Sequence, residues 1–372
     1  MPRLSLRRSE PLIGVVVPAY DVAGYLPACL DSILGQSHRA LDVVVVDDGS
    51  PDESGAVAEE YAARDPRVRV VHIENRGLGA ARNEGLRHVR GDVLAFADSD
   101  DVVPPGAYAA MLTQLRRTGA DLVTGDVARL VGDDVQRIRW MRRLHADRAS
   151  VFIEQRPELL GDVFAWNKLY RREFWDGAGL SWPEGVRYED QPTLTRAYVH
   201  ARLIGVVPEV VYHWRVRDDG TSITQQRAST ADLRDRWTTK RSSLATVRDF
   251  GSDKVTRVFV DRVLPGDLWR YFLQIPQADD EWWQLLVSGV REFWGGERSL
   301  THSILPPAHR LTGWLVEQDR RSDAVAVIEQ VAALAGRPLP RVTLPDGSAR
   351  VDVPGLDPAT VDPAALLVRP GE

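Results

Sequence analysis

Val93-Leu94-Ala95-Phe96-Ala97-Asp98-Ser99-Asp100-Asp101 is the stretch on which the fold turns. Five uninterrupted apolar residues fit a strand covered on both faces, and the strand then empties into carboxylates. Working outward, Gly91-Asp92 opens this run. Similar runs precede it at Ile13 to Val17, Val43 to Val46 and Val68 to Ile73, and another follows at Leu122 to Val123. Between them lie amphipathic stretches predicted as helices: Gly24 to Leu34, Glu53 to Arg64, Leu78 to Arg90 and Pro105 to Arg117. Strands alternating with helices are the pattern of βαβ units around a largely parallel sheet.

The chain has 372 residues, 44% hydrophobic and 27% charged, which bounds it as a globular protein with one substantial domain plus appendages. A formal net charge of -6 and the lack of a Lys/Arg-only run disfavour a nucleic-acid partner. Cys29 is the single cysteine, so an intramolecular disulfide and a cysteine-built zinc site are excluded. The apolar stretch Pro11 to Pro18 is too short for a signal-peptide core, and no stretch is long enough to span a bilayer. The expectation is a cytoplasmic protein, able to dock peripherally at the inner face of the plasma membrane.

Three regions are expected: a catalytic α/β domain over 1–227, a helical accessory region over 228–336, and a Pro/Gly-rich tail or start of a β-rich module over 337–372. The helical region carries Trp237, Trp269, Trp282, Trp283, Trp294 and Trp314. These read first as a helical core and second as an acceptor surface. Strand-like pieces in the tail are Arg341 to Leu344 and Ala349 to Val353.

In an open α/β sheet, ligands bind beyond the carboxyl ends of the strands. Asp98 and Asp100 stand at such an end, and two carboxylates one residue apart can share Mg²⁺ or Mn²⁺ with the oxygens of a diphosphate. Asp47 and Asp48, after four valines, are placed to accept hydrogen bonds from a base or ribose; alternatively they cap the helix near Glu53, a role that also suits Asp52. Tyr20 either covers a planar base or packs at the strand end. Asn75 and Arg82 flank the small-residue segment Gly77-Leu78-Gly79-Ala80-Ala81, which lets backbone approach a ligand closely, although the Lys-Ser/Thr ending of a P-loop is missing; they read as nucleotide contacts or, alternatively, as a helix N-terminus and a surface ion pair.

Further along, Tyr188-Glu189-Asp190-Gln191 offers a carboxylate base, Asp190 first and Glu189 second. The pair also reads as an acidic helix N-terminus. Tyr212-His213-Trp214-Arg215-Val216-Arg217, followed by Thr221-Ser222-Ile223-Thr224, reads as a loop whose cations fold over a diphosphate, with His213 as a further metal ligand, or as a surface loop holding a partly buried Trp.

With these residues assembled, the chain resembles the family 2 glycosyltransferases, whose catalytic domain is the GT-A fold, a Rossmann-like mixed sheet. Val15-Val16-Val17-Pro18-Ala19-Tyr20, Val46-Asp47-Asp48-Gly49-Ser50-Pro51-Asp52, Asn75-Arg76-Gly77-Leu78-Gly79-Ala80-Ala81-Arg82-Asn83 and Phe96-Ala97-Asp98-Ser99-Asp100-Asp101 are similar to its successive signatures, in order. The resemblance covers roughly the first 220 residues. It implies a donor site of Pro18, Tyr20, Asp47, Asp48, Asn75, Arg82, Asp98 and Ser99, a metal held by Asp98 and Asp100 and joined by His213, an inverting base at Asp190 beside Glu189, and Arg215 and Arg217 helping the leaving group.

Trp166-Asn167-Lys168-Leu169-Tyr170-Arg171-Arg172 and the later motifs look like the bacterial branch that decorates wall teichoic acids. That branch implies a UDP-sugar donor, an anionic glycopolymer acceptor and a homo-oligomer formed through C-terminal modules, of which the tail past Arg337 would be a truncated or rudimentary example. The Gln-X-X-Arg-Trp motif of processive synthases is missing from its expected region, which favours single transfer. Two rivals stay open: a nucleotidyltransferase, disfavoured for want of a Gly-rich triphosphate loop after the first strand, and a non-catalytic module that binds nucleotide sugar or polymer.

Overall fold

The structure, a computed structural model, describes residues 10–217, 229–295 and 298–372. It divides into two compact units, Met1–Gly220 and Thr221–Glu372.

The first unit begins with β1 (Ile13–Ala19), α1 (Leu26–Leu34), β2 (Leu41–Asp47), α2 (Ser54–Arg64), β3 (Val68–His72), α3 (Leu78–His88), β4 (Val93–Phe96) and α4 (Ala107–Thr118). All seven residues of β1 and all four of β4 are buried. Such strands need helices on both faces, which the alternating order supplies. β5 (Leu122–Val131), β6 (Asp134–Arg137), α5 (Arg139–Leu144), β7 (Ala149–Val151), β8 (Lys168–Arg171), α6 (Arg172–Gly177), α7 (Asp190–His200) and β9 (Ile204–Arg215) complete it. The sheet runs β3-β2-β1-β4-β8-β5-β9-β7, with β6 paired to β5. Its β3-β2-β1-β4 half is parallel. Antiparallel β8 separates β4 from β5, and β5 pairs β9 in parallel.

Two features depart from expectation. The Leu122 strand runs on to Val131 because β6 folds back on it as a hairpin. Tyr212 to Arg215 form the end of a twelve-residue strand rather than a loop, since β9 follows β5 to Leu130 through register shifts at Asp126. Thr221-Ser222-Ile223-Thr224 lies outside the described residues.

The second unit is helical: α8 (Thr230–Phe250), α9 (Asp253–Val258), α10 (Trp269–Phe272), α11 (Asp280–Trp294), α12 (Pro307–Glu317) and α13 (Arg321–Ala333). Trp237, Trp282, Trp283 and Trp294 are buried, so these tryptophans do form a core, whereas Trp269 is exposed. Trp237 reaches its place because Gly289 has no Cβ, which would stand 2.2 Å from the indole. The tail adds β10 (Arg341–Thr343), β11 (Ala349–Val351), α14 (Pro363–Leu366) and β12 (Leu367–Val368), the three strands pairing antiparallel.

Candidate active site

β4 lies in the middle of the sheet, and the chain turns out of the core just after it. At that turn the side chains of Asp98 and Asp100 stay 28% and 27% exposed, while Ser99 and Asp101 are buried. Two hydrogen bonds hold the turn from inside. Asp101 Oδ1 accepts the Arg215 N–H at 2.7 Å, and the Asp98 N–H donates to the Tyr212 hydroxyl at 2.9 Å. Burial and the Asp98 charge push the Asp100 carboxyl up to about 6, against the pull of Arg217, whose Nη1 lies 3.7 Å from Asp100 Oδ2. A carboxyl raised in this way marks a turn short of positive charge.

Arg82 sits inside α3 and is 2% exposed. Its Nη1 donates to Glu189 Oε1 at 2.6 Å, its Nη2 donates to Asp98 Oδ1 at 2.8 Å, and its guanidinium lies 4.8 Å from the Trp182 ring centre. Burial opposes the charge, but Asp98 and Glu189 outweigh it and hold the guanidinium more firmly protonated than usual. Glu189 is buried too; burial and the neighbouring Asp190 charge raise its carboxyl despite Arg82. Asp190 is partly exposed, opens α7, and accepts the Gln191 N–H on Oδ1 at 2.7 Å. Tyr188, at φ 64, makes the sharp turn into that helix.

The small residues expected to admit a ligand do something else at Gly79. A Cβ there would lie 2.1 Å from the Pro183 carbonyl oxygen, so the close approach is to the chain's own segment before α7. Asn83 grips the same segment: its Nδ2 donates to the Trp182 carbonyl at 2.8 Å and its Oδ1 accepts the Trp182 N–H at 2.9 Å.

The other strand ends supply a polar rim. Tyr20 is 48% exposed after β1, and Asn75 is exposed beyond β3. Pro18 is buried within β1, opposite Val46. Asp47 accepts the Ser50 N–H at 3.0 Å and contacts His72 Nδ1 at 2.9 Å. Burial raises its carboxyl, but these partners outweigh burial and leave it below the usual range. Asp48 accepts the N–H groups of Arg76 and Gly77 at 2.8 and 2.9 Å and so shapes the loop after β3. Neither caps α2; Asp52, just before its N-cap Glu53, accepts the Ser54 N–H at 3.0 Å.

β9 brings its cations to the same loop. Arg215 Nε donates to the Asp100 carbonyl at 2.8 Å, and the Arg215 and Arg217 guanidiniums lie 5.6 and 4.9 Å from the Tyr25 ring centre. His213 pairs through its backbone with Val102, and burial lowers its imidazole pKa. Among the described residues no three His, Cys, Asp or Glu side chains are grouped so that they could hold a metal ion. Two carboxylates are still a sufficient protein share for Mg²⁺ or Mn²⁺, which takes its other ligands from substrate phosphates and water. A separate cleft, lined by residues including Asp121, Arg196 and Arg202, lies where β5 and β9 begin, at the opposite end of the sheet from this turn.

Residues 14–177 match the family model described as Glycosyl transferase family 2. They form a family 2 glycosyltransferase domain. Within Bacillus subtilis, the chain is 35% identical over 217 residues to the putative glycosyltransferase EpsH and 31% identical over 226 residues to the uncharacterized glycosyltransferase EpsJ. The alignments cover 55% and 58% of this chain and 61% and 63% of those relatives, so the chain spans about three fifths of their length. The crystal structure of Staphylococcus aureus TarS 1-349 with UDP-GlcNAc superimposes with a TM-score of 0.71 over 93% of this chain and 98% of that one; at 19% identity the likeness is one of fold.

Several residues that shape the candidate site carry little signal in the sequence. Tyr25 carries no local signal, and contacts across about 100 residues join Trp182 to Asn83 and Tyr212 to Asp98. Asn83 was quoted in a motif, but its grip on Trp182 carries no local signal.

Proposed function

We propose that the chain transfers a hexose or N-acetylhexosamine from its UDP donor to a hydroxyl of an anionic cell-envelope glycopolymer, with inversion at the anomeric carbon. The observation that carries this reading is the Arg82 bridge, which ties the carboxylate turn after β4 to the residue preceding α7. Inverting displacement needs leaving-group stabilisation on one side of the sugar and a base on the other, and the bridge holds candidates for both. The UDP-GlcNAc held by TarS supports the donor class.

Asp190, partly exposed at the start of α7, takes the proton from the acceptor hydroxyl. Glu189 is buried and bound to Arg82, which makes it a positioning residue rather than the base. Mg²⁺ or Mn²⁺ held by Asp98 and Asp100 would neutralise charge on the departing diphosphate. Arg215 and Arg217 add positive charge at the same turn. Tyr20, Pro18, Asp47, Asp48, Asn75 and Ser99 line the nucleoside side, with Asp48 acting by shaping the loop that carries Asn75 and Arg76. The acceptor places the work at the cytoplasmic face of the plasma membrane; among the described residues no helix is long and apolar enough to cross it.

The test is nucleoside diphosphate release from a panel of UDP- and GDP-sugars with Mn²⁺ or Mg²⁺, with and without EDTA. Release should require metal and vanish in Asp100→Ala. Asp190→Asn should lower kcat by about 10²–10⁴-fold with little change in donor KM, the size expected for loss of a general base. Pyrophosphate release from a nucleoside triphosphate would instead establish nucleotidyl transfer, and binding without turnover across donors and acceptors would make the chain a binding module.

A further inference from the structure

An aromatic ladder leaves the carboxylate turn and ends on an exposed, basic surface of the same unit. Tyr212, whose hydroxyl meets the Asp98 N–H, stacks on Trp166 with ring centres 4.0 Å apart and planes 18° from parallel. Trp166 stacks on Phe164 at 4.5 Å and 10°. Phe164 then meets both Trp140 and Trp214 at 6.0 Å. Trp166 is buried, whereas Trp140 is 41% exposed.

Trp140 belongs to α5. In that helix Met141, Leu144 and His145 turn inward, and His145 Nε2 contacts the buried Thr124 hydroxyl at 3.2 Å. Arg139, Arg142 and Arg143 recur at i, i+3 and i+4, so they share one face, and all three are exposed. None of them pairs with a carboxylate among the described residues. Arg129 is also exposed, 5.5 Å from the Trp214 ring centre. The nearby acids Asp126 and Asp147 are already paired, with Arg137 and Arg156 respectively.

We propose that this face, with Trp140, Trp214, Arg129, Arg142 and Arg143, binds the acceptor chain as an anionic saccharide and leads its hydroxyl toward the carboxylate turn. The inference rests on the glycosyl-transfer reading for its purpose. Aromatic faces suit the C–H faces of sugar rings, unpaired arginines suit phosphate or carboxylate groups on the same chain, and the ladder packs Trp140 and Trp214 into one layer with the Tyr212 that holds the turn. A bare polyanion would need the arginines but not Trp140. A membrane surface would need neither the ladder nor its connection to Tyr212, which is why the saccharide is favoured.

The experiment measures binding of the full chain to hyaluronan oligosaccharides, neutral dextran oligosaccharides, inorganic polyphosphate and phosphatidylglycerol vesicles. UDP affinity is measured on every variant. Hyaluronan should bind more tightly than dextran or polyphosphate, and Trp140→Ala and the double variant Arg142→Glu/Arg143→Glu should each weaken it about ten-fold with UDP affinity kept. Equal hyaluronan binding by the variants, polyphosphate binding as tight as hyaluronan and indifferent to Trp140→Ala, or Trp140-dependent binding to vesicles alone would each overturn the proposal. Loss of nucleotide-sugar turnover with hyaluronan binding intact would instead count against the glycosyl-transfer reading and leave the saccharide face standing.

Discussion

At Arg82, one buried guanidinium serves two carboxylates on separate segments, and their distances of 2.6 and 2.8 Å leave no slack for a shorter cation. Lysine carries a point charge rather than a fork, so Arg82→Lys should keep the charge and lose the simultaneous reach. Arg82→Met leaves Glu189 buried without its cation, a change that costs about 3–5 kcal/mol when a buried pair is broken. Urea unfolding should therefore rank wild type above Arg82→Lys above Arg82→Met, with turnover falling in the same order. Were Arg82→Met as stable and as active as wild type, the bridge would be incidental. Arg82 was expected among the nucleotide contacts. Its motif shows that an arginine stands there, but not that both of its partners are protein carboxylates more than ten residues away.

Among the elements, α3 does more than cover the sheet. Its first turn presses on the Pro183 carbonyl through Gly79, while its far end packs on β1 through Gly85, where a Cβ would lie 2.3 Å from Val16 Cγ1. Alanine at either position overpacks a closed contact and should destabilise the fold by about 1–3 kcal/mol. The consequences for activity should differ. Gly79→Ala pushes on the segment that delivers Glu189 and Asp190, so kcat should fall several-fold beyond any loss of folded protein, whereas Gly85→Ala should leave the kcat of the folded fraction near wild type. Calorimetry combined with steady-state kinetics separates the two, and equal kcat values for both would deny α3 its positioning role. β9 illustrates the same division of labour. Its residues Tyr212 to Arg215 were expected on a loop, yet strand pairing to β5 fixes them and makes the Arg215 backbone part of the acidic turn.

Over the whole molecule, acid should act on both units through buried ion pairs. In the first, burial raises Asp162, but Lys168 at 2.8 Å and His145 outweigh it; in the second, burial raises Asp267, but Arg236 and Lys240 outweigh it. Both carboxyls are thus held well below the ordinary range. A depressed carboxylate contributes stability that is complete above its unfolded pKa, near 4, and is lost as pH falls toward the folded value. The raised Asp100 and Glu189 carboxyls act the other way, taking up protons in the folded state first, so unfolding free energy measured between pH 6 and 2 should not fall on acidification to about pH 5 and should decline below about pH 4. A decline already complete above pH 5 would contradict this assignment. From sequence alone came the order of the first five strands and four helices, the acidic turn after Phe96 and the tryptophan core, because apolar periodicity, turn residues and motif spacing are local properties of the chain. Tertiary structure alone decided that Arg82 bridges Asp98 and Glu189, that Gly79 admits Pro183 rather than a ligand, and that β9 returns to the acidic turn. Each of those contacts joins segments about 16 to 114 residues apart, and a contact set by packing across such separations leaves no periodic trace in the segments it joins.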